Sequence, residues 1–458
     1  MIKRLLALLV FATTVVNAQY TVKGTMTPPD KGDWVTLHKL QGVKPKFITH
    51  STIKFDTVLI GGEKQVLGRF ALQLPENATK GEYRVTYRNK GAGFVDFIFN
   101  KEDVEFIFNP KFPDESVVFT RSRENKVFKD YEQQTRKIQK DIDSLQLEYF
   151  KNPTKDTKKA YKKAVGLLED TQEAFDNKSE GMLVNSYIKA SERYNDSGIN
   201  DNLEEYAAAI KENYFKNLDF ESKDLYNSSI FVDKITDYIL FLNFSDDQPT
   251  LRKLYKESID VVMDKISEDQ LKKDITEYLI TTFTDKRDSE IVDWLFAKYY
   301  RKLPAAMQDA AFKRKKLGLL TATVGRVAPN FSWKEDGTEK TLAGLNDGQK
   351  YLLVFWSTSC SHCVREIPEL HKIIKNDGNV SVVSFSIEEN ELDWTEFIKN
   401  LPNWHNAVGT HPDYKFDNET VKKYNLLGTP TYFILDSNKK IIAMPDGIED
   451  VKKYFNKS

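Results

Sequence analysis

Cysteine is scarce in this chain: 2 of 458 residues. Both fall in the window Phe355-Trp356-Ser357-Thr358-Ser359-Cys360-Ser361-His362-Cys363, with two residues between them. All thiol chemistry is therefore confined to four residues, and a zinc site of about four ligands would lack its other thiolates. Net charge is scarce too. Lys and Arg number 67 against 68 Asp and Glu, a formal −1, so no global basic field exists to hold a nucleic acid or an anionic membrane. Beyond the N-terminus no apolar run approaches the roughly 20 residues that span a bilayer. No fixed-length repeat marks a solenoid. What remains is a globular chain too long for one hydrophobic core, which points to two or three domains.

The N-terminus carries one apolar run. Lys3 and Arg4 precede Leu5 to Val16, and Val16-Asn17-Ala18 places small residues where a signal peptidase would cut. The run is too short for an anchor, and no cysteine stands near residue 18 to carry a lipid. The expectation is a signal peptide over 1–18 and a soluble, exported product, periplasmic if the host is a Gram-negative bacterium. That compartment permits a disulfide.

Three textures follow. Over 19–120, short runs alternate apolar and polar residues, as in Gly68-Arg69-Phe70-Ala71-Leu72-Gln73-Leu74, which predicts an antiparallel β-sandwich or barrel. Val95 to Asn100 and Val104 to Phe108 flank Lys101-Glu102-Asp103 and read as a hairpin. Over 121–318 the period becomes helical, with breaks at Asn152-Pro153, Gln248-Pro249 and Leu303-Pro304, and with Tyr238 to Leu242 and Ile291 to Phe296 facing a core. Over 319–458, strands and helices alternate, which predicts an α/β domain. Its strands are expected at Tyr351 to Trp356, Val380 to Ile387, Thr431 to Leu435 and Ile441 to Met444. Its helices are expected at Val364 to Lys375, Leu392 to Asn400, Asn418 to Tyr424 and Ile448 to Phe455. His405 and His411 have no evident partners and are assigned to loops.

A Cys-x-x-Cys pair reads as half of a metal site, as a staple or as a redox couple. His362 and His371 would complete a metal site only awkwardly. A staple closing so short a loop constrains the unfolded chain little. The redox couple remains. The strand ending at Trp356 passes through a polar turn into a helix, so Cys360 stands at a helix N-terminus, where free N–H groups and the helix dipole favour the thiolate. Cys360 is then the attacking sulfur, and Cys363, one turn on and more buried, resolves the mixed disulfide.

Phe355-Trp356, Cys360-Ser361-His362-Cys363 and Glu366-Ile367-Pro368 resemble the signature of the thioredoxin-like TlpA and ResA family of thiol-disulfide oxidoreductases. Gly428-Thr429-Pro430-Thr431-Tyr432-Phe433 is similar to that family's cis-proline loop, and Val324-Gly325 with Ala328-Pro329-Asn330-Phe331 to its entry segment. The resemblance covers the last third of the chain. It implies a thioredoxin fold with Cys360 and Cys363 catalytic as a redox-active disulfide, and with Trp356, His362, Thr429 and Pro430 supporting them. It implies no cofactor and no metal. The partners would be client proteins with thiols or disulfides and a separate donor or acceptor of electrons. The N-terminal stretch around Gly68-Arg69-Phe70 is similar to the DUF4369-type β domain that precedes such modules.

Several positions depart from the pattern. Val354 replaces a buried acid of cytosolic thioredoxins, so proton transfer to Cys363 needs another group. Glu388, after the strand ending at Ile387, occupies a place where the ResA branch keeps a glutamate; it reads either as a proton-handling group or as a solvated surface acid. Ser359 stands where a tryptophan is usual. His362 resembles the histidine of DsbA-type oxidases, which makes the disulfide more oxidising, or is one of many tolerated residues. The direction of exchange stays open. Two other functions compete: a redox-inactive scaffold capped by a thioredoxin-like domain, and a thiol peroxidase, which would want a proline where Leu353 stands.

Overall fold

The computed structural model describes residues 20–87, 93–374 and 378–456. The apolar run from Leu5 to Val16 and the cleavage position near Ala18 lie outside the described residues. The chain forms two compact units, one through Asp274 and one from Ile275 onward.

Among the described residues, the first unit opens with nine strands: β1 (Thr21–Met26), β2 (Trp34–Gln41), β3 (Lys44–Thr52), β4 (Lys54–Ile60), β5 (Glu63–Gln73), β6 (Gly81–Thr86), β7 (Phe94–Phe99), β8 (Val104–Phe108) and β9 (Val118–Arg121). They form a five-stranded sheet, β4-β5-β1-β8-β9, and a four-stranded sheet, β3-β2-β6-β7. Alternation explains their packing. In β8, Val104, Phe106 and Phe108 are buried while Glu105 and Ile107 face out, and the inner residues of both sheets join one aromatic core with Phe70, Tyr83, Phe97 and Phe99.

The expected hairpin is corrected. β7 pairs with β6, and β8 pairs with β1 and β9, so the chain crosses between sheets at Lys101, whose φ is 59°. Facing layers of a sandwich and neighbouring strands of one sheet show the same alternation, so periodicity could not separate them. The β1–β8 pair is also parallel, within sheets otherwise antiparallel.

Helices α1 (Arg123–Lys151) and α2 (Lys155–Lys178) follow, broken at Asn152-Pro153 as expected, and capped by Ser122 and Thr154. Asn125 of α1 ties this segment to the sheet: its side chain accepts from Ile98 N–H at 2.8 Å and donates to Ile98 C=O at 2.7 Å, as a neighbouring strand would. Tyr238 and Ile239 are buried as expected, but Phe241 is 75% exposed because a π-helical turn over Asp237–Phe241 rotates it outward.

In the second unit, the helix Ser289–Lys298 buries Ile291, Val292, Leu295 and Phe296 as expected. A hairpin of β10 (Ser332–Glu335) and β11 (Thr338–Thr341), which sequence reading missed, precedes a five-stranded sheet. That sheet comprises β12 (Lys350–Trp356), β13 (Val380–Glu388), β14 (His405–Thr410), β15 (Thr431–Asp436) and β16 (Ile441–Ala443), in the order β14-β13-β12-β15-β16. β12, β13 and β14 run parallel, and β15 and β16 are antiparallel additions. Central β12 is buried on both faces. Tyr351, Leu353 and Phe355 join one apolar layer; Leu352, Val354 and Trp356 join the other, with helices α3 (Ser361–Ile374) and α4 (Ile448–Tyr454). This is the expected α/β thioredoxin-like domain.

The assignment of His405 to a loop is corrected. It opens β14, which pairs with β13 from Val383↔His405 to Glu388↔Thr410. The run His405-Asn406-Ala407-Val408-Gly409-Thr410 has little strand character of its own, and its neighbour supplies the pairing. Gly409 is needed there, because a Cβ would meet the Phe385 ring at 2.6 Å.

Candidate active site

β12 ends at Trp356, and the turn Ser357-Thr358-Ser359 delivers Cys360 to the start of α3. Cys360 acts as the helix cap: its N–H donates to Ser357 C=O at 3.2 Å, and its own carbonyl accepts from Val364 N–H at 3.0 Å. Its sulfur takes the place of a capping oxygen, accepting Cys363 N–H at 3.3 Å, and the thiol donates to Thr429 C=O at 3.4 Å. The two sulfurs are free thiols.

Their environments differ sharply. Cys360 is partly exposed, whereas Cys363 is fully buried among Val354, Trp356 and Ile367. Partial burial alone would raise the Cys360 thiol, but hydrogen bonds from the Cys363 side chain, Thr429 and the N–H groups of Cys363 and His362 outweigh it and hold Cys360 below its ordinary value. Burial first, then the neighbouring Cys360 sulfur, pushes Cys363 up to about 12. One sulfur is thus prepared to attack, and the other is held as a thiol.

The remaining residues singled out from the sequence gather here in different ways. The Thr429–Pro430 bond is cis, and Thr429 touches the Cys360 sulfur. Trp356 lies beneath the pair, donating to Ser384 Oγ at 2.8 Å and packing on Phe397 with ring centroids 4.7 Å apart. His362 reaches the site through its backbone. Its ring is exposed, and Nδ1 accepts from Arg365 at 3.0 Å, because a guanidinium only donates.

Glu388 is no solvated surface acid. It is 4% exposed, the last residue of β13, and accepts from Thr358 N–H at 2.7 Å, Thr358 Oγ1 at 2.9 Å, Ser386 Oγ at 2.5 Å and Ser357 Oγ at 3.3 Å. These bonds fasten the turn before Cys360 to the end of the next strand. A buried carboxylate requires such donors, and Ser357, Thr358 and Ser386 supply them.

Sequence reading missed one participant. Lys415, in a short turn after β14, donates to Ser357 Oγ at 2.8 Å and Ser359 Oγ at 2.5 Å. Away from the cysteines, His405 bridges Glu335 and Asp347 at 2.8 and 2.7 Å, joining β14 to the β10–β11 hairpin and to the loop before β12. The hydroxyl-rich turn was a signal that charged partners would converge on it, but sequence distance hid which ones. His371 packs its ring on Trp404 and bonds Pro402 C=O at 2.9 Å, a structural engagement.

The redoxin family model matches residues 323–457. A thiol-disulfide oxidoreductase ResA of Geobacillus thermodenitrificans is 30% identical over 139 residues, covering 29% of this chain and 76% of that protein. The chain belongs to the ResA family of thiol-disulfide oxidoreductases. A ResA of Bacillus thuringiensis is 27% identical over 146 residues, covering 29% of this chain and 78% of that protein. Among solved structures, a domain of a possible thiol-disulfide isomerase from Cytophaga hutchinsonii is 28% identical, with a TM-score of 0.26, over 29% of this chain and 90% of that one. The thioredoxin domain of a Bacteroides vulgatus oxidoreductase is 23% identical, with a TM-score of 0.26, over 29% of this chain and 96% of that one. The redoxin match lies in the second unit, where both cysteines stand.

Proposed function

We propose that the protein is exported and exchanges disulfides with client proteins through the Cys360-Ser361-His362-Cys363 motif. The observation that carries this reading is the asymmetry of the pair: a partly exposed sulfur, favoured as thiolate, beside a sealed thiol. In the reducing direction, the Cys360 thiolate attacks a client disulfide, forming an S–S bond to one client sulfur and expelling the other as a thiolate. Cys363 then loses its proton and attacks the Cys360 sulfur, releasing the second client thiol. The client gains two electrons, and the Cys360–Cys363 disulfide is left for an external dithiol to reduce. The same steps reversed would oxidise a client.

Thr429 and Pro430 flank the route by which a client strand reaches Cys360, and Trp356 forms the floor beneath Cys363. Glu388 keeps two readings: proton handling for Cys363, or anchoring of the turn. Its bonds to Thr358 favour at least the second. Export rests on Lys3-Arg4, the apolar run and Val16-Asn17-Ala18; no helix among the described residues is long and apolar enough to cross a membrane. The division into 19–120, 121–318 and 319–458 is retained as a functional one, with the DUF4369-like first part and the helices serving client choice or docking.

The test is capture. A Cys363→Ala protein should accumulate mixed disulfides on Cys360 that a reductant releases, identified by mass spectrometry. The absence of any such adduct, together with failure of the wild-type protein to reduce insulin, would favour the scaffold reading.

A further inference from the structure

Ser359 and Ser357 are held from outside by a cation that the cysteine motif does not include. Lys415 lies in the turn Tyr414-Lys415-Phe416-Asp417, which is fixed in three ways. Phe416 packs against the apolar layer of Phe355 and Phe385, Asp417 N–H donates to Tyr414 C=O at 2.8 Å, and Tyr414 N–H donates to His411 Nδ1 at 3.2 Å. His411 N–H in turn donates to Glu388 C=O at 3.1 Å, so the segment is moored to the end of β13. From this mooring the half-buried Lys415 side chain reaches the two hydroxyls, one of which belongs to the residue before Cys360.

We propose that Lys415 is a positioning residue for the attacking sulfur: its ammonium, pinned on Ser357 and Ser359, places a fixed positive charge against the turn that ends in Cys360 and stabilises the thiolate there. The inference rests on Cys360 being the attacking group. A lysine satisfied by water would be mobile, and its charge screened. One held on neutral hydroxyls keeps its charge at a defined place in a half-buried setting, where charge interactions are stronger than in water.

Other charged groups around the sulfur do not duplicate it. On α3, Cys363 is a neutral thiol, Arg365 is engaged with the His362 ring, and Glu366 accepts from Tyr432 Oη at 3.0 Å. On β13, Glu388 opposes Lys415, but its carboxylate is surrounded by four donors, one of them the Ser357 hydroxyl that Lys415 also holds. In Lys415's own turn, Asp417 pairs with Lys422 at 3.3 Å, and Asp413 is exposed. Among the described residues, Lys415 is the cation bonded to the turn itself.

The experiment is the pH profile of Cys360 alkylation by iodoacetamide in the reduced full-length protein. Lys415→Met should move the midpoint upward, so that the rate below the midpoint falls about threefold or more. The alkaline plateau should stay unchanged, and Lys415→Arg should restore the wild-type midpoint. An unmoved midpoint overturns the proposal. So does a lower plateau at an unmoved midpoint, the mark of a turn merely loosened. Insulin reduction by the wild-type protein keeps this result apart from the parent reading: active wild type with an unmoved Lys415→Met midpoint removes only the role of Lys415. Inactive wild type removes the client reading, and the alkylation profile still decides Lys415.

Discussion

At the scale of single residues, the two cysteines behave as different chemical species although three positions apart. Cys360 caps a helix with its sulfur in reach of N–H donors, while Cys363 is buried and pushed up to about 12. In the folded, reduced protein, alkylation near neutral pH should therefore modify Cys360 and leave Cys363 intact, with both reacting once denaturant is added; peptide mass spectrometry reads the difference. Equal labelling of the folded protein would contradict the assigned order of attack. Much of this was legible in the sequence, because a strand, a polar turn and a Cys-x-x-Cys at a helix start are local features. Of the turn's distant partners, Thr429 and Glu388 were reached only through the family resemblance, and Lys415 was missed. Glu388, Lys415 and Thr429 lie roughly 30 to 70 positions away from it, and only the order of strands in the sheet brings them together.

At the scale of elements, β14 and the β10–β11 hairpin escaped the sequence because, Trp333 and Val408 apart, their own residues are polar or small, and their strand state is conferred by partners. His405 is the fastening between them. Partial burial would raise Glu335, but hydrogen bonds from Lys340, Trp333 and His405 outweigh it and bring that carboxyl down to about 2. A carboxylate depressed on folding adds stability above its unfolded value of about 4.3, and that stability is lost as pH falls through the folded value. Glu335→Gln should thus lower the urea midpoint of the second unit at neutral pH, and the gap from wild type should close as pH approaches about 2. A gap unchanged by acid would show that the contacts of Glu335 do not depend on its charge. The misread hairpin teaches the complementary lesson. Phe97 and Phe106 both face inward, but they line opposite walls of the sandwich.

For the whole molecule, each unit has cores of its own: the aromatic sandwich in the first, and the two layers about β12 in the second. Calorimetry of the full chain should resolve more than one transition. Gly24→Ala, whose Cβ would strike the Phe70 ring, should lower the one belonging to the sandwich, by about 1–3 kcal/mol of stability. Reducing or oxidising the cysteines should move the other, and a single shared transition would contradict this division. The sealed position of Cys363 has one more consequence. The second attack takes place inside the protein, at a local concentration that dilution cannot alter. In the proposed exchange, the time a client spends tethered is therefore a property of this chain: like an internal timer, it runs at the same speed whether clients are abundant or rare.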